Sequence, residues 1–257
     1  MLENYSAEVL NDNTNNSQYV LNKYMEIIDR ENSFYIDIGS SFSSNIEEDL
    51  LVNSEKSIFF ECNPEKEFFY KEFEKKNKNF HFINEKVTPE NIVKLIKQKT
   101  NRKDPKMLDI DIDGYDYYVL QALLLEYSPS IIIAEINEKI PPPIKFTVKY
   151  DKDYWWDGSH FYGMSLSKAY EVFERFDYDV VNLTYNNVFA VKKEKNPGLK
   201  TYDAEELYNK FYKNADWQNH YHYNKNVEHF LNLNKEDLLK SINDFYKNYN
   251  GRYDLYI

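Results

Sequence analysis

Five short apolar runs, each followed by a stretch of helical spacing, constrain this chain more than any other feature. Ser33–Gly39, Ser57–Glu61, Phe80–Asn84, Lys106–Asp113 and Ser130–Asn137 read as strands. The segments between them read as helices: Asn45–Val52, Pro64–Lys76, a helix capped by Thr88 with Pro89 at its first position, and Asp116–Glu126. Strands this apolar, joined through crossover helices, predict a parallel sheet buried on both faces. Tyr178–Leu183 and Asn187–Lys192 would close it as an antiparallel hairpin. The expected fold is a doubly wound α/β sheet of about seven strands, whose ligands sit outside the carboxyl ends of the strands.

The boundaries follow changes of composition. Residues 1–32 are expected to be a lead, polar and Asn-rich over 1–16, then a helix over Gln18–Arg30 with Val20, Leu21, Tyr24, Ile27 and Ile28 on one face. Residues 33–195 are expected to form the main α/β domain, the one that would carry any catalytic site. Beyond Asn196-Pro-Gly198, residues 196–257 are rich in Tyr, Asn and Lys. Their helical stretches at Ala204–Tyr212 and Glu236–Tyr246 predict a helical appendage, packed on the domain or on a second copy of the chain in a homo-oligomer. Pro141–Pro143 opens a long non-periodic loop that carries Tyr154, Trp155 and Trp156 and runs to about Gly158. Loops of this length are usually functional or disordered.

Charge and cysteine usage exclude several classes. A net charge of −11 argues against a nucleic-acid partner. No apolar run reaches the roughly 20 residues of a membrane span. The first residues, Met-Leu-Glu-Asn-Tyr-Ser, lack the basic and apolar regions of a secretory signal. One cysteine, Cys62, leaves neither a disulfide nor a cysteine-based zinc site, and the expected compartment is a reducing cytoplasm. His220 and His222 lack the spacing of a helical zinc pair and read as surface residues.

The strand ends carry the chemistry. The first closes on Asp37, Gly39 and Ser40, where glycine lets backbone approach a ligand and the acid can meet an ammonium. Glu61 ends the second, positioned to accept from ribose hydroxyls, and Asn84 and Glu85 end the third; each alone would also serve as an ordinary strand exit or cap. Neither GxGxxG nor GxxxxGK[ST] is present, which removes the common dinucleotide and P-loop sites. In the fourth strand Asp109, Asp111 and Asp113 alternate with apolar residues and would share one face. Carboxylates interrupting a buried strand cost several kcal/mol each unless paired, on the order of the penalties for buried charge. Oxygen donors without a nearby His or Cys favour a hard cation, Mg²⁺ or Mn²⁺. Asp111 with Glu135 and Asn137 from the fifth strand would form a partial cage for it.

The run Asp109-Ile-Asp-Ile-Asp-Gly-Tyr-Asp-Tyr-Tyr118, with Ala134-Glu-Ile-Asn137 and Tyr162-Gly-Met-Ser-Leu166, resembles class I S-adenosylmethionine-dependent methyltransferases. The resemblance is strongest to the FkbM-like group, extends to metal-dependent macrolide-sugar O-methyltransferases, and covers roughly residues 33–192. It implies S-adenosylmethionine held by Asp37, Gly39 and Ser40 at its methionine end, by Glu61 at the ribose, and by Asn84, Glu85 and Asp109 around them. It further implies magnesium on Asp111 and Glu135, and as acceptor a nucleotide-linked sugar, a heptose for capsular polysaccharide. The chain departs from the pattern where Ser41, Ser43 and Ser44 replace further glycines and where the fifth strand ends Glu-Ile-Asn. Transfer to a hydroxyl needs a base. His160, in Asp157-Gly-Ser-His-Phe-Tyr162, is the favoured candidate and Asp113 its rival, with the loop aromatics as a wall over the sugar. Two other readings stay open: a glycosyltransferase using Asp109-Ile-Asp111 as its metal motif, and a scaffold that binds the cofactor without turnover.

Overall fold

In the computed structural model, residues 17–40, 46, 48–215 and 224–257 are described. The calls on residues 1–16, on Ser41, Ser43, Ser44 and Asn45, and on His220 and His222 lie outside them.

One sheet holds β1 (Phe34–Ile38), β2 (Lys56–Phe60), β3 (Phe80–Ile83), β4 (Met107–Ile110), β5 (Ile131–Glu135), β7 (Tyr178–Thr184) and β8 (Asn187–Lys192). Its spatial order is β3-β2-β1-β4-β5-β8-β7. The first five strands pair in parallel, and β8 enters antiparallel between β5 and β7. The doubly wound, mostly parallel sheet of seven strands expected from the sequence is therefore the fold. Alternation explains how each strand serves two layers. Phe34, Ile36, Leu108, Ile110, Ile132 and Ala134 enter one core, while Tyr35, Met107, Ile131 and Ile133 enter the core on the opposite face. The helices covering these faces are α1 (Ser17–Ile27), α2 (Glu48–Val52), α3 (Pro64–Lys76), α4 (Ile92–Lys97), α5 (Asp116–Leu124) and α6 (Leu166–Arg175).

Several boundaries differ from the sequence reading. The fourth strand stops at Ile110 instead of Asp113, because the Asp116 carboxylate accepts from the backbone N–H groups of Ile112 and Gly114, both at 2.9 Å, and folds 111–115 into a loop. Helix α4 starts at Ile92, not beside Pro89. Thr88 and Asn91 exchange side chain–backbone hydrogen bonds, Asn91 Oδ1 accepting from Thr88 N and Thr88 Oγ1 from Asn91 N, and this turn takes the place of a first helical turn.

The long loop and the C-terminal region are also more ordered than expected. Lys145–Val148 forms β6, which pairs antiparallel with β9 (Tyr253–Tyr256) as a second sheet. The appendage is thus not purely helical; besides α7 (Ala204–Phe211) and α8 (Lys235–Phe245) it returns a strand to the domain. Its Tyr208, Phe211, Phe230, Ile242 and Tyr246 belong to the same core as the sheet. Among the described residues, no helix is long and apolar enough to cross a membrane.

Candidate active site

The carboxyl ends of β1, β2, β4 and β5 enclose a cavity of about 390 Å³, within the range of small-molecule sites. Gly39, Glu61, Glu85, Asp111, Asp113 and Glu135 line it. Gly39 has φ of +89°, and the space a side chain would need is taken by the Asp111 carbonyl, so β1 and β4 close on each other at their ends. The Asp111 N–H donates to Ile38 O at 2.9 Å, extending the pairing one residue past the strand. Asp113 then adopts a positive φ of 52°, a conformation Asp tolerates better than most residues.

Although Asp111 and Asp113 leave the strand, they still meet Glu135. One carboxylate oxygen from each of the three lies within 4.8 Å of the others. Glu135 is 4% exposed. Its Oε1 accepts from Asn186 Nδ2 at 2.8 Å, while its Oε2 is buried with no N–H or hydroxyl donor in reach among the described residues. Burial raises the Asp111 carboxyl to about 8, reinforced by the charges of Asp113 and Asp116 and opposed by its contact with Glu135. Burial, then Asp111, Asp113 and Asp116, hold Glu135 well above the usual carboxylate range. Asp113 is raised by burial and pulled back by Lys66 and Lys139. Crowded acids with one unsatisfied buried oxygen fit a hard divalent cation: Asp111 and Glu135 would hold it, with Asp113 beside them.

The remaining candidates fall into two groups. Glu61 lines the same cavity, accepting from Asn63 N at 2.7 Å and pairing with Lys66 at 3.2 Å. Asn84 lies behind it and donates to Glu61 O at 2.7 Å, so it braces the strand exit and does not line the cavity. Asp37, Ser40 and Asp109 are buried below the rim and likewise do not line it. Tyr70 donates to Ser40 O at 2.9 Å.

Two expected roles are displaced. Asn137 is fully buried and donates from its side-chain amide to His160 O at 2.8 Å and Tyr162 O at 3.0 Å. It thereby fixes the following loop, and Asp113 takes the place expected for it beside Asp111 and Glu135. His160 faces a different depression, shared with Asn226 and Tyr246, where its Nε2 meets Asn226 Oδ1 at 2.9 Å. It is not brought to the acids.

Sequence reasoning missed five contributors. Asp116 organises the acid loop, and the Asp-Gly-Tyr-Asp spacing carried that signal. Lys66 and Lys86 line the cavity. Glu138 and Lys139, directly after the fifth strand, form a fully buried ion pair at 2.7 Å. Tyr162 OH donates to Glu138 Oε2 at 2.9 Å and Asn224 Nδ2 to its Oε1 at 3.2 Å, which ties the C-terminal region to the β5 exit.

The sheet order and the strand-end cavity define an α/β protein of the ligand-binding, doubly wound class. No family model and no curated protein matches the chain. Solved structures do match in part. An S-adenosylmethionine-dependent methyltransferase from Clostridium acetobutylicum is 11% identical, over 70% of this chain and 92% of that one, with a TM-score of 0.41. Precorrin-6y C5,15-methyltransferase from Geobacter metallireducens is 19% identical, over 68% and 85%, with a TM-score of 0.40. Magnesium protoporphyrin IX methyltransferase from Synechocystis, solved with bound S-adenosylmethionine, is 8% identical, over 69% and 80%, with a TM-score of 0.41. Likeness at this level assigns no residue a role.

Proposed function

We propose that this protein is an S-adenosylmethionine-dependent O-methyltransferase that acts on the hydroxyl of a nucleotide-linked sugar with the help of a divalent cation. The observation that carries the reading is the convergence of Asp111, Asp113 and Glu135 in a strand-end cavity that Gly39 and Glu61 also line. Gly39 lets the donor approach the backbone, and Glu61 offers its carboxylate to ribose hydroxyls.

S-adenosylmethionine supplies a methyl group on a sulfonium, and a cation on Asp111 and Glu135 would make a bound hydroxyl more acidic. The chain's own residues do the rest. Asp113, whose carboxyl burial holds above the usual carboxylate range, accepts the hydroxyl proton as base. Tyr154, Trp155 and Trp156 wall the cavity and keep water from the reacting atoms. Orientation of this kind can contribute up to roughly 7–11 kcal/mol to a displacement. A capsular heptose as acceptor and a cytoplasmic location belong to the same proposal. The glycosyltransferase alternative needs Asp109 and Asp111 together on a nucleotide, yet Asp109 is 4% exposed and does not line the cavity.

The test is incubation with S-adenosylmethionine, magnesium and a panel of nucleotide-linked sugars, followed by mass spectrometry. A methylated sugar whose yield collapses in EDTA supports the proposal. Full turnover in EDTA removes the cation from it, and glycosyl transfer without methylation replaces it.

A further inference from the structure

Lys86 leaves the exit of β3 and reaches the loop on the far side of the cavity. Its Nζ donates to the carbonyls of Lys152, at 2.9 Å, and Tyr154, and stands 4.3 Å from the centre of the Trp155 ring. An ammonium that binds two carbonyls and one ring face on a single loop is a fastening point.

The same stretch of the loop is also seated by the Tyr154 side chain, which is 6% exposed. The Tyr154 ring lies where a Cβ on Gly114 would be 3.0 Å away, so the ring rests on the backbone of the acid loop. Its hydroxyl donates to Phe161 O. Tyr115, from that same loop, donates to Val87 O at 2.9 Å and so ties the acid loop back to the segment that carries Lys86. Further along the loop, Trp156 is held separately, its Nε1 donating to Ser159 O at 2.8 Å and its ring meeting Tyr162 edge-on, while Trp155 rests on Lys86. Trp155 is 64% exposed, and the neighbouring Lys152–Asp153 pair lies in solvent, where an ion pair contributes little.

We propose that Lys86 is a positioning residue that fastens the aromatic loop 151–156 across the mouth of the strand-end cavity, and so determines how firmly the nucleoside end of a bound ligand is retained. The identity of that ligand rests on the methyltransferase reading; the fastening itself does not. Lys86 acts through Trp155 and the loop carbonyls, and it need not touch the reacting atoms.

The test uses the full chain with Trp217→Phe, so that Trp155 and Trp156 are the fluorescent reporters. In the ligand-free protein, Lys86→Met is expected to increase acrylamide quenching about twofold, as the loop loses a cation–π contact and two charge-assisted hydrogen bonds. The same variant should bind S-adenosylhomocysteine about tenfold more weakly through faster release. Lys86→Arg keeps the charge and the stacking and should restore both properties, which also controls for folding. Unchanged quenching in Lys86→Met, or increased quenching with unaltered release, would overturn the proposal. If the wild-type chain binds no S-adenosylhomocysteine, the cofactor reading fails, and quenching in the ligand-free protein still decides for or against the fastening.

Discussion

Gly39 and Asp111 meet backbone to backbone where β1 and β4 emerge from the sheet: a Cβ on Gly39 would lie 1.6 Å from the Asp111 carbonyl oxygen. The helices after these two strands leave in opposite senses, so the contact sits at the switch point where α/β sheets open to ligands. It joins the backbone at the β1 exit to the loop that carries the acids.

Gly39→Ala is therefore expected to push β1 and β4 apart as well as to strain a positive φ. The loss of stability should be about 2 kcal/mol or more. Denaturant unfolding measures it; an unchanged midpoint would mean that the loop yields at no cost.

The acid cluster should make the metal-free protein sensitive to alkali. Asp111 has a folded pKa of about 8, above that of an unfolded aspartate, so the folded chain holds an extra proton between the two values. Its contribution is full below the unfolded pKa, at about pH 4, and is lost as the pH rises through about 8. In EDTA the melting temperature should fall over the upper part of this interval, and magnesium should restore more of it at the alkaline end, because the ion replaces protons. Glu135→Gln removes one of the crowded charges and should flatten both the pH profile and the magnesium response.

Lys139→Met leaves the Glu138 carboxylate buried without its ammonium partner. Breaking such a pair costs about 3–5 kcal/mol, whereas Lys139→Met combined with Glu138→Gln should recover a large part of that loss. Chemical denaturation of the two variants makes the comparison.

Asp113 and His160 should separate in kinetics. Asp113→Ala is expected to lower kcat by about 10²-fold, the usual contribution of a general base, while His160→Ala changes it less than about threefold. The reverse ranking in steady-state assays would return the base to His160.

Much of the fold was legible in the sequence because it depends on local periodicity. Ile131-Ile-Ile-Ala-Glu135 can hardly be other than a strand buried on both faces, and the Tyr178–Lys192 hairpin is short-range. What escaped depends on contacts between distant residues. Nothing near Lys145–Val148 announces a partner at Tyr253–Tyr256. Alternation placed Asp109, Asp111 and Asp113 on one strand face, but the Asp116 carboxylate ends the strand early and turns two of the three toward Glu135. Lys86 carries no motif that marks it in the sequence, because its contacts arise only where the loop 151–156 folds back over it.

Isothermal titration of S-adenosylhomocysteine into the wild-type chain and Glu61→Ala decides whether the strand-end cavity holds the methyl donor. One ligand per chain is expected, bound about tenfold more weakly when Glu61 loses its carboxylate, as for lost hydrogen bonds to a charged group. No binding by the wild-type chain, or equal affinity in the two proteins, would contradict it.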